Sequence, residues 1–217
     1  MIYEFPKKLA EEGMFNKKLF EKIDKWIKLY LKGKETYRKI ALEIPKIYSK
    51  GMKDVKEDDT KKEAKKFVDF YLKKFIQPYT TELVKLMKTY GITIGISGSP
   101  IEVVGFVGKI FGFDITYGTE LEVKNSVYTG RIKQNLIIRE SKEKVLERII
   151  KENKIDVSKS YGFGDTEQDL SVLSKVGNPV ALNPNKELLS TAQKNGWMIF
   201  NSDDDIINVI SKKLISK

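Results

Sequence analysis

Two carboxylates four residues apart, Asp165 and Asp169, follow the small apolar segment Ser160 to Phe163 and the turn residue Gly164. If that segment is a strand and a helix starts beyond it, both carboxylates converge at the strand's carboxyl end. Open α/β sheets place their chemistry there. Two converging carboxylates suit a hard, oxygen-seeking dication such as Mg2+. The same residues, Thr166-x-x-Asp169, also fit a capping box that does no more than start a helix. The spacing alone is compatible with both.

A second group is Ser97-Gly98-Ser99-Pro100, directly after an apolar run ending at Ile96. A hydroxyl and successive backbone N–H groups at a helix N-terminus form a phosphate cradle. Simple capping explains Ser99 as the N-cap and Pro100 as the first helical residue. It leaves Ser97 and Gly98 without a role. The third candidate is Lys142, near the start of a helix expected over 141–153. A cation is misplaced at an electropositive helix start unless an anion binds beside it. The alternative is one surface lysine among many.

Composition narrows the chemistry. The chain has 217 residues, 41% hydrophobic, with a net charge of +10. That length supports a real core, in one large domain or in a domain plus a smaller one. There is no cysteine and no histidine. Disulfides, thiolate metal sites, imidazole ligands and Ser-His-Asp or Cys-His catalysis are therefore excluded. Any catalysis rests on carboxylates, hydroxyls, lysines and backbone amides. The basic excess attracts anions such as phosphorylated metabolites, nucleic acid or acidic lipid. The lysines run along the whole chain, which reads as a solvated surface and not a binding arm. No apolar run approaches the ~18 residues of a membrane span, and no secretory h-region is visible at Met1 to Glu12. The expected location is the cytoplasm.

The elements that must position these residues change character at Pro78. Up to residue 77 the pattern is helical. Phe15, Leu19, Phe20, Ile23, Trp26, Ile27 and Tyr30 form one apolar face. A second helix is expected over Tyr37 to Tyr48 and a third over 60–76. In the third, Phe67, Phe70, Tyr71, Leu72 and Phe75 read as core. The acids Glu57, Asp58 and Asp59 complement that helix's N-terminus. After Pro78, helices alternate with strands expected at 92–96, 115–124, 127–133, 160–163, 179–182 and 197–200. Lys124-Asn125-Ser126 makes a hairpin turn. This alternation predicts an α/β fold whose parallel sheet is covered on both faces.

In order and spacing, Ser97 after a strand, Lys142 at a helix start and Gly164-Asp165-x3-Asp169 resemble the haloacid dehalogenase superfamily of phosphohydrolases. Gly118 to Val123 with Tyr128 to Arg131 is similar to a β-hairpin of its phosphoserine-phosphatase-like branch, subfamily IB. Pro179 to Pro184, with Leu188, Ala192, Gly196 and Trp197, is similar to that branch's C-terminal segment. The resemblance implies a Rossmann-like core over 78–217 with an α-helical cap over 1–77. It implies that Ser97 and Gly98 bind phosphate, and that Lys142 neutralises it. It implies that Asp165 and Asp169 hold Mg2+, with Asp165 the direct ligand, and that the substrate is a small phosphorylated molecule.

Two departures stand out. The family's nucleophile and general acid/base lie in Asp-x-Asp-x-[Thr/Val] on the first core strand, and no such motif occurs here. Either the natural protein is longer, which is the expectation, or the flanking strands pair directly in a degenerate relative. Leu42 also falls about where phosphoserine phosphatases carry a cap arginine, with Arg38 one turn away. The expected activity is a phosphomonoester hydrolase acting through an aspartyl-phosphate, impaired in this chain. The alternatives are a non-catalytic phospholigand-binding relative and a nucleic-acid binder working through net charge.

Overall fold

The computed structural model describes residues 3–201 and 205–215; the side chains of 72–75 lie outside that description. Four helices come first: α1 (Glu4–Glu11), α2 (Lys17–Leu31), α3 (Tyr37–Gly51) and α4 (Glu57–Phe75). Asn16 caps α2 by accepting from the Leu19 amide, and Thr36 caps α3 by accepting from the Lys39 amide. Each supplies an acceptor to an otherwise orphaned donor. The acids Glu57, Asp58 and Asp59 occupy the first turn of α4, as their charge favours.

Then follow α5 (Thr80–Tyr90), β1 (Ile94–Pro100), α6 (Ile101–Phe111), β2 (Ile115–Lys124) and β3 (Val127–Gln134). The chain continues through α7 (Arg139–Glu152), β4 (Tyr161–Gly164), a 3-10 turn at Glu167–Asp169, α8 (Leu170–Leu173), β5 (Asn178–Leu182), α9 (Lys186–Lys194), β6 (Met198–Phe200) and α10 (Ile206–Ile215). It divides into two compact units, one of residues 1–76 with 91–138, the other of 77–90 with 139–217.

In the first unit β1 runs parallel to β2, and β2 pairs antiparallel with β3. Asn125 and Ser126 turn the hairpin with φ of 50° and 63°. Positive φ at both positions matches the right-handed twist of the two strands. The outer edge of β3 is covered: Asp54 and Glu57 donate to the carbonyls of Tyr128 and Ser126, and Tyr128 donates to that of Val55. Phe5, Ile23, Ile44, Met52, Phe67, Val103, Leu121 and Tyr128 share one core, so the helices and the sheet bury a common surface. Tyr128 is buried and its hydroxyl donates to Glu102 at 2.6 Å. Burial pushes the Glu102 carboxyl up, although the Tyr128 hydrogen bond opposes this.

In the second unit β4, β5 and β6 form a parallel sheet. Side chains alternate across a strand, and β5 shows the consequence. Val180 packs with Leu83, Phe200, Ile206 and Ile210, whereas Ala181 packs with Leu173, Leu188 and Ala192. Helices therefore cover both faces of this sheet.

The expected α/β class holds, and two details differ from expectation. The strands form two three-stranded sheets, with β1 at the end of one and β4 at the end of the other. Pattern identifies strands, but partners depend on tertiary pairing. Phe70 does not join the core and is 66% exposed, while its neighbour Phe67 is buried. Leu72 and Phe75 fall among the side chains outside the description. The helix at Glu4–Glu11 agrees with the helical pattern expected up to residue 77.

Candidate active site

In the second unit, β4 ends at Gly164 and the chain turns sharply into the 3-10 segment. A Cβ at Gly164 would lie 2.5 Å from Cβ of Asp169, so only glycine lets the Asp169 side chain fold back over the strand end. There the Oδ2 atom of Asp169 accepts from the Asp165 amide at 3.2 Å, the Thr166 amide at 3.3 Å and the Thr166 hydroxyl at 3.3 Å. The capping arrangement read from Thr166-x-x-Asp169 is thus real. It is not the whole account, because Oδ1 takes Lys142 Nζ at 3.2 Å. Lys142 lies in the second turn of α7 and is 7% exposed. It is not a solvated surface lysine: its charge is buried and meets a carboxylate that already holds three N–H or O–H donors.

Asp165 differs from Asp169. The residue reaches solvent, yet desolvation of its carboxyl raises its pKa. The neighbouring Asp169 carboxylate raises it further, and Lys142 opposes the shift. A carboxylate held in that state gains from a cation of its own. Its main-chain oxygen is anchored by the Asn185 amide at 2.8 Å. Asn185 caps α9 by accepting from Leu188 and donates to Glu167 Oε2 at 2.5 Å. Desolvation works against the Glu167 charge, but hydrogen bonds from Asn185 and Gln168 hold its carboxyl below the usual range. On the adjoining loop, Asn183 has φ 44° and donates to the Tyr79 hydroxyl at 3.1 Å. Burial, and then the charge of Asp165, push that phenol up.

The donor set fits one magnesium ion in part. Both oxygens of Asp169 are committed, which leaves Asp165 as the carboxylate able to ligate directly. Among the described residues no group of three or more acidic, histidine or cysteine side chains could hold a metal. Mg2+ commonly keeps several waters and takes one or two protein carboxylates, so Asp165 with Asp169 behind it is a sufficient protein share.

Ser97 and Gly98 belong to the first unit, on β1. The helix after them starts at Ile101, and its N-cap is Pro100, without a side-chain cap bond. Ser99 is therefore not the cap; it is buried, and its amide donates to Ser97 Oγ at 3.2 Å. That bond uses an acceptor lone pair of Ser97 and leaves the hydroxyl proton for another partner. Gly98 also has a packing role. A Cβ there would lie 3.0 Å from Cγ1 and 3.1 Å from Cα of Ile137. The Gly98 carbonyl accepts from Thr119 Oγ1 at 2.7 Å, and Thr119 in turn accepts from the Leu136 amide. The structure thus gathers Lys142, Asp165 and Asp169 into one constellation and places Ser97 and Gly98 together on a separate strand.

Asn185, Glu167 and Tyr79 were not singled out from sequence. The Asn183-Pro184-Asn185 run carried a signal for Asn185, since Asn before a helix is an N-cap. Nothing local indicated that its amide anchors Asp165. Because Gly164 admits Asp169, Gly164→Ala is expected to displace that carboxylate and cost about 2 kcal/mol or more of stability. Urea denaturation would measure this, and loss of less than about 0.5 kcal/mol would show that the turn relaxes easily.

A parallel sheet with helices on both faces, and carboxylates paired with a buried lysine at a strand's carboxyl end, defines an α/β protein with its charged cluster where open α/β sheets place their chemistry. The chain belongs to the haloacid dehalogenase-like hydrolases, whose family model matches residues 21–174. It is 30% identical over 142 residues to a histidinol-phosphatase of Neisseria meningitidis, covering 63% of this chain and 64% of that one. It is 26% identical over 104 residues to the phosphoserine phosphatase SerB1 of Mycobacterium tuberculosis, covering 48% of this chain and 34% of that protein. The matched stretch spans about a third of the length of such mycobacterial relatives. A solved phosphoserine phosphatase, described as a phospho-aspartyl intermediate analogue, superimposes with a TM-score of 0.64 at 20% identity, over 97% of this chain and 90% of that one. The fold is shared with phosphoserine phosphatases.

Proposed function

We propose that this protein is a Mg2+-dependent phosphomonoester hydrolase acting on a small phosphorylated substrate, with residues 1–77 as a helical cap over a Rossmann-like core of 78–217. The observation that carries the reading is Lys142, buried against Asp169 one turn from Asp165. A buried ammonium in this position is oriented, and it is ready to meet phosphoryl oxygens. Asp165 would hold the metal and Asp169 would support it. The ion would offset the repulsion between an attacking carboxylate and the phosphoryl group. Ser97 would donate its free proton to a phosphoryl oxygen, and the Gly98 amide would stand beside it. The attacking group in this scheme is an aspartate, giving an aspartyl-phosphate that water then hydrolyses. Since the 217 residues contain no Asp-x-Asp-x-[Thr/Val] segment, we read the chain as impaired in turnover by itself. Among the described residues no helix is long and apolar enough to cross a membrane, and we place the protein in the cytoplasm.

The missing motif favours a second reading, a non-catalytic relative that binds a phospholigand. That protein would be stabilised by ligand, about 2.7 kcal/mol at a hundredfold excess over Kd, without turnover. The test is hydrolysis of p-nitrophenyl phosphate by this chain with Mg2+ and with EDTA. The same assay is run after an Asp-x-Asp-x-Thr strand is added upstream of residue 1. Magnesium-dependent turnover gained with the strand supports the hydrolase. Phosphate-dependent stabilisation with no turnover in either form supports the binding protein.

A further inference from the structure

The basic residues are dispersed along the chain, but the acids are not matched to them evenly. Residues 17–39 hold nine lysines and arginines against three acids, a net +6 of the chain's +10. That stretch is α2, the turn after it and the first residues of α3. At about 100° per residue, Lys17, Lys18, Lys22, Lys25, Lys28 and Lys32 fall on the half of the helix opposite the buried Ile23. All six are exposed. Among the described residues, Lys28 alone of the six forms an ion pair, with Asp24 at 2.6 Å. Glu21 and Asp24 are the two acids on the lysine half, and Glu35 lies beyond its end. The contrast with α4 is direct: there Lys61, Lys62 and Lys66 pair with Glu57, Asp59 and Glu63 along the helix. Among the described residues five of the six lysines of this face thus have no ion-pair partner.

Exposed apolar surface adjoins this face at its C-terminal end, where Leu31 falls about 80° from Ile23 at the edge next to Lys17 and Lys28. Leu31 is 74% exposed and lies between Lys28 and Lys32 in sequence. Tyr30 beside it is partly exposed, with its ring edge-on to Tyr37. A leucine among lysines gains nothing from water. It gains where an anionic layer overlies an apolar one.

We propose that the outer face of α2 docks on an anionic lipid bilayer surface, its lysines against lipid phosphates and Leu31, at the edge of that face, entering the interface beside them. The apolar half of α2 is committed to the protein core, so contact is peripheral and does not require the helix to leave its unit. A nucleic acid would answer the lysines but not Leu31, which separates the two partners. Each lysine near an anionic surface raises affinity about fivefold, so several unpaired lysines and one apolar anchor suffice for reversible binding.

The test is sedimentation of the full chain with vesicles of pure phosphatidylcholine, or of phosphatidylcholine with about one third phosphatidylglycerol. Binding is expected to the second and not the first. The triple change Lys18→Glu, Lys22→Glu, Lys25→Glu is expected to lower affinity at least about tenfold. Its side chains are exposed and unpaired, and circular dichroism would verify the fold. Leu31→Ser is expected to weaken binding severalfold at about 0.15 M salt, where charge is screened. Absence of binding, equal binding to neutral vesicles, or an unaffected triple variant would overturn the proposal. Duplex RNA bound as tightly as the vesicles, with Leu31→Ser without effect, would reassign the face to nucleic acid.

Discussion

Lys142→Met is expected to lower stability by about 3 kcal/mol and to remove most of the protein's response to phosphate. The side chain is buried, and Met fills nearly the same volume, so packing is largely conserved. What is lost is the charge partner of Asp169 Oδ1. Removing one member of a buried pair leaves the other uncompensated, which costs about 3–5 kcal/mol. Asp169 keeps two amides and a hydroxyl, so the lower end of that range applies. Adding Asp169→Asn to Lys142→Met removes the unpaired charge and should recover part of the loss. In a catalytically competent form the same change should reduce kcat/KM about 100- to 1000-fold, as for other oriented groups that stabilise developing charge. Urea denaturation of the single and double variants measures the first effect. A loss under about 1 kcal/mol, with phosphate stabilisation intact, would show that Lys142 is dispensable to the site.

Asp165→Asn is expected to act in opposite directions with and without metal. In EDTA the wild-type carboxyl is desolvated and faces Asp169, an arrangement that disfavours its charge. Asparagine removes that repulsion, so the metal-free variant should melt at or above the wild-type temperature. With Mg2+ the wild type should gain stability, and the variant should not. In a form that turns over, the variant should lose about a thousandfold in rate, the several kcal/mol that a metal ion contributes to charge stabilisation. Melting curves at two metal concentrations settle the first part. An equal magnesium increment in both proteins would remove Asp165 from the metal assignment, whatever the activity.

Much of the element order was legible in sequence, because local physics sets it. The apolar steps of α2, the Asn125-Ser126 turn and the β-rich runs at 115–134 each carry their period or turn chemistry within a few residues. The Gly164-Asp165-x3-Asp169 spacing was legible for the same reason: one turn of chain brings the two carboxylates together. Ser99 was misread as the N-cap because a Ser-Pro pair fits a cap locally, whereas the structure begins α6 after Pro100. Phe70 was misread because α4 buries a narrower stripe than its aromatic residues could line.

The sequence by itself determined which chemistry is available: no imidazole, no thiol, and carboxylates, hydroxyls and lysines at recognisable spacings. It determined the α/β class as well, since periods of 2 and 3.6 are written in consecutive residues. The tertiary structure alone decided which lysine of many is buried. Lys142 and Asp169 are 27 residues apart, and their pairing depends on α7 packing against α8, which follows the turn that carries Asp169. It also decided that the strands sort into two sheets, that Asn185 anchors Asp165 and that Gly98 packs on Ile137. Each of these is a contact between distant segments, and its free energy exists only once the chain has brought them together.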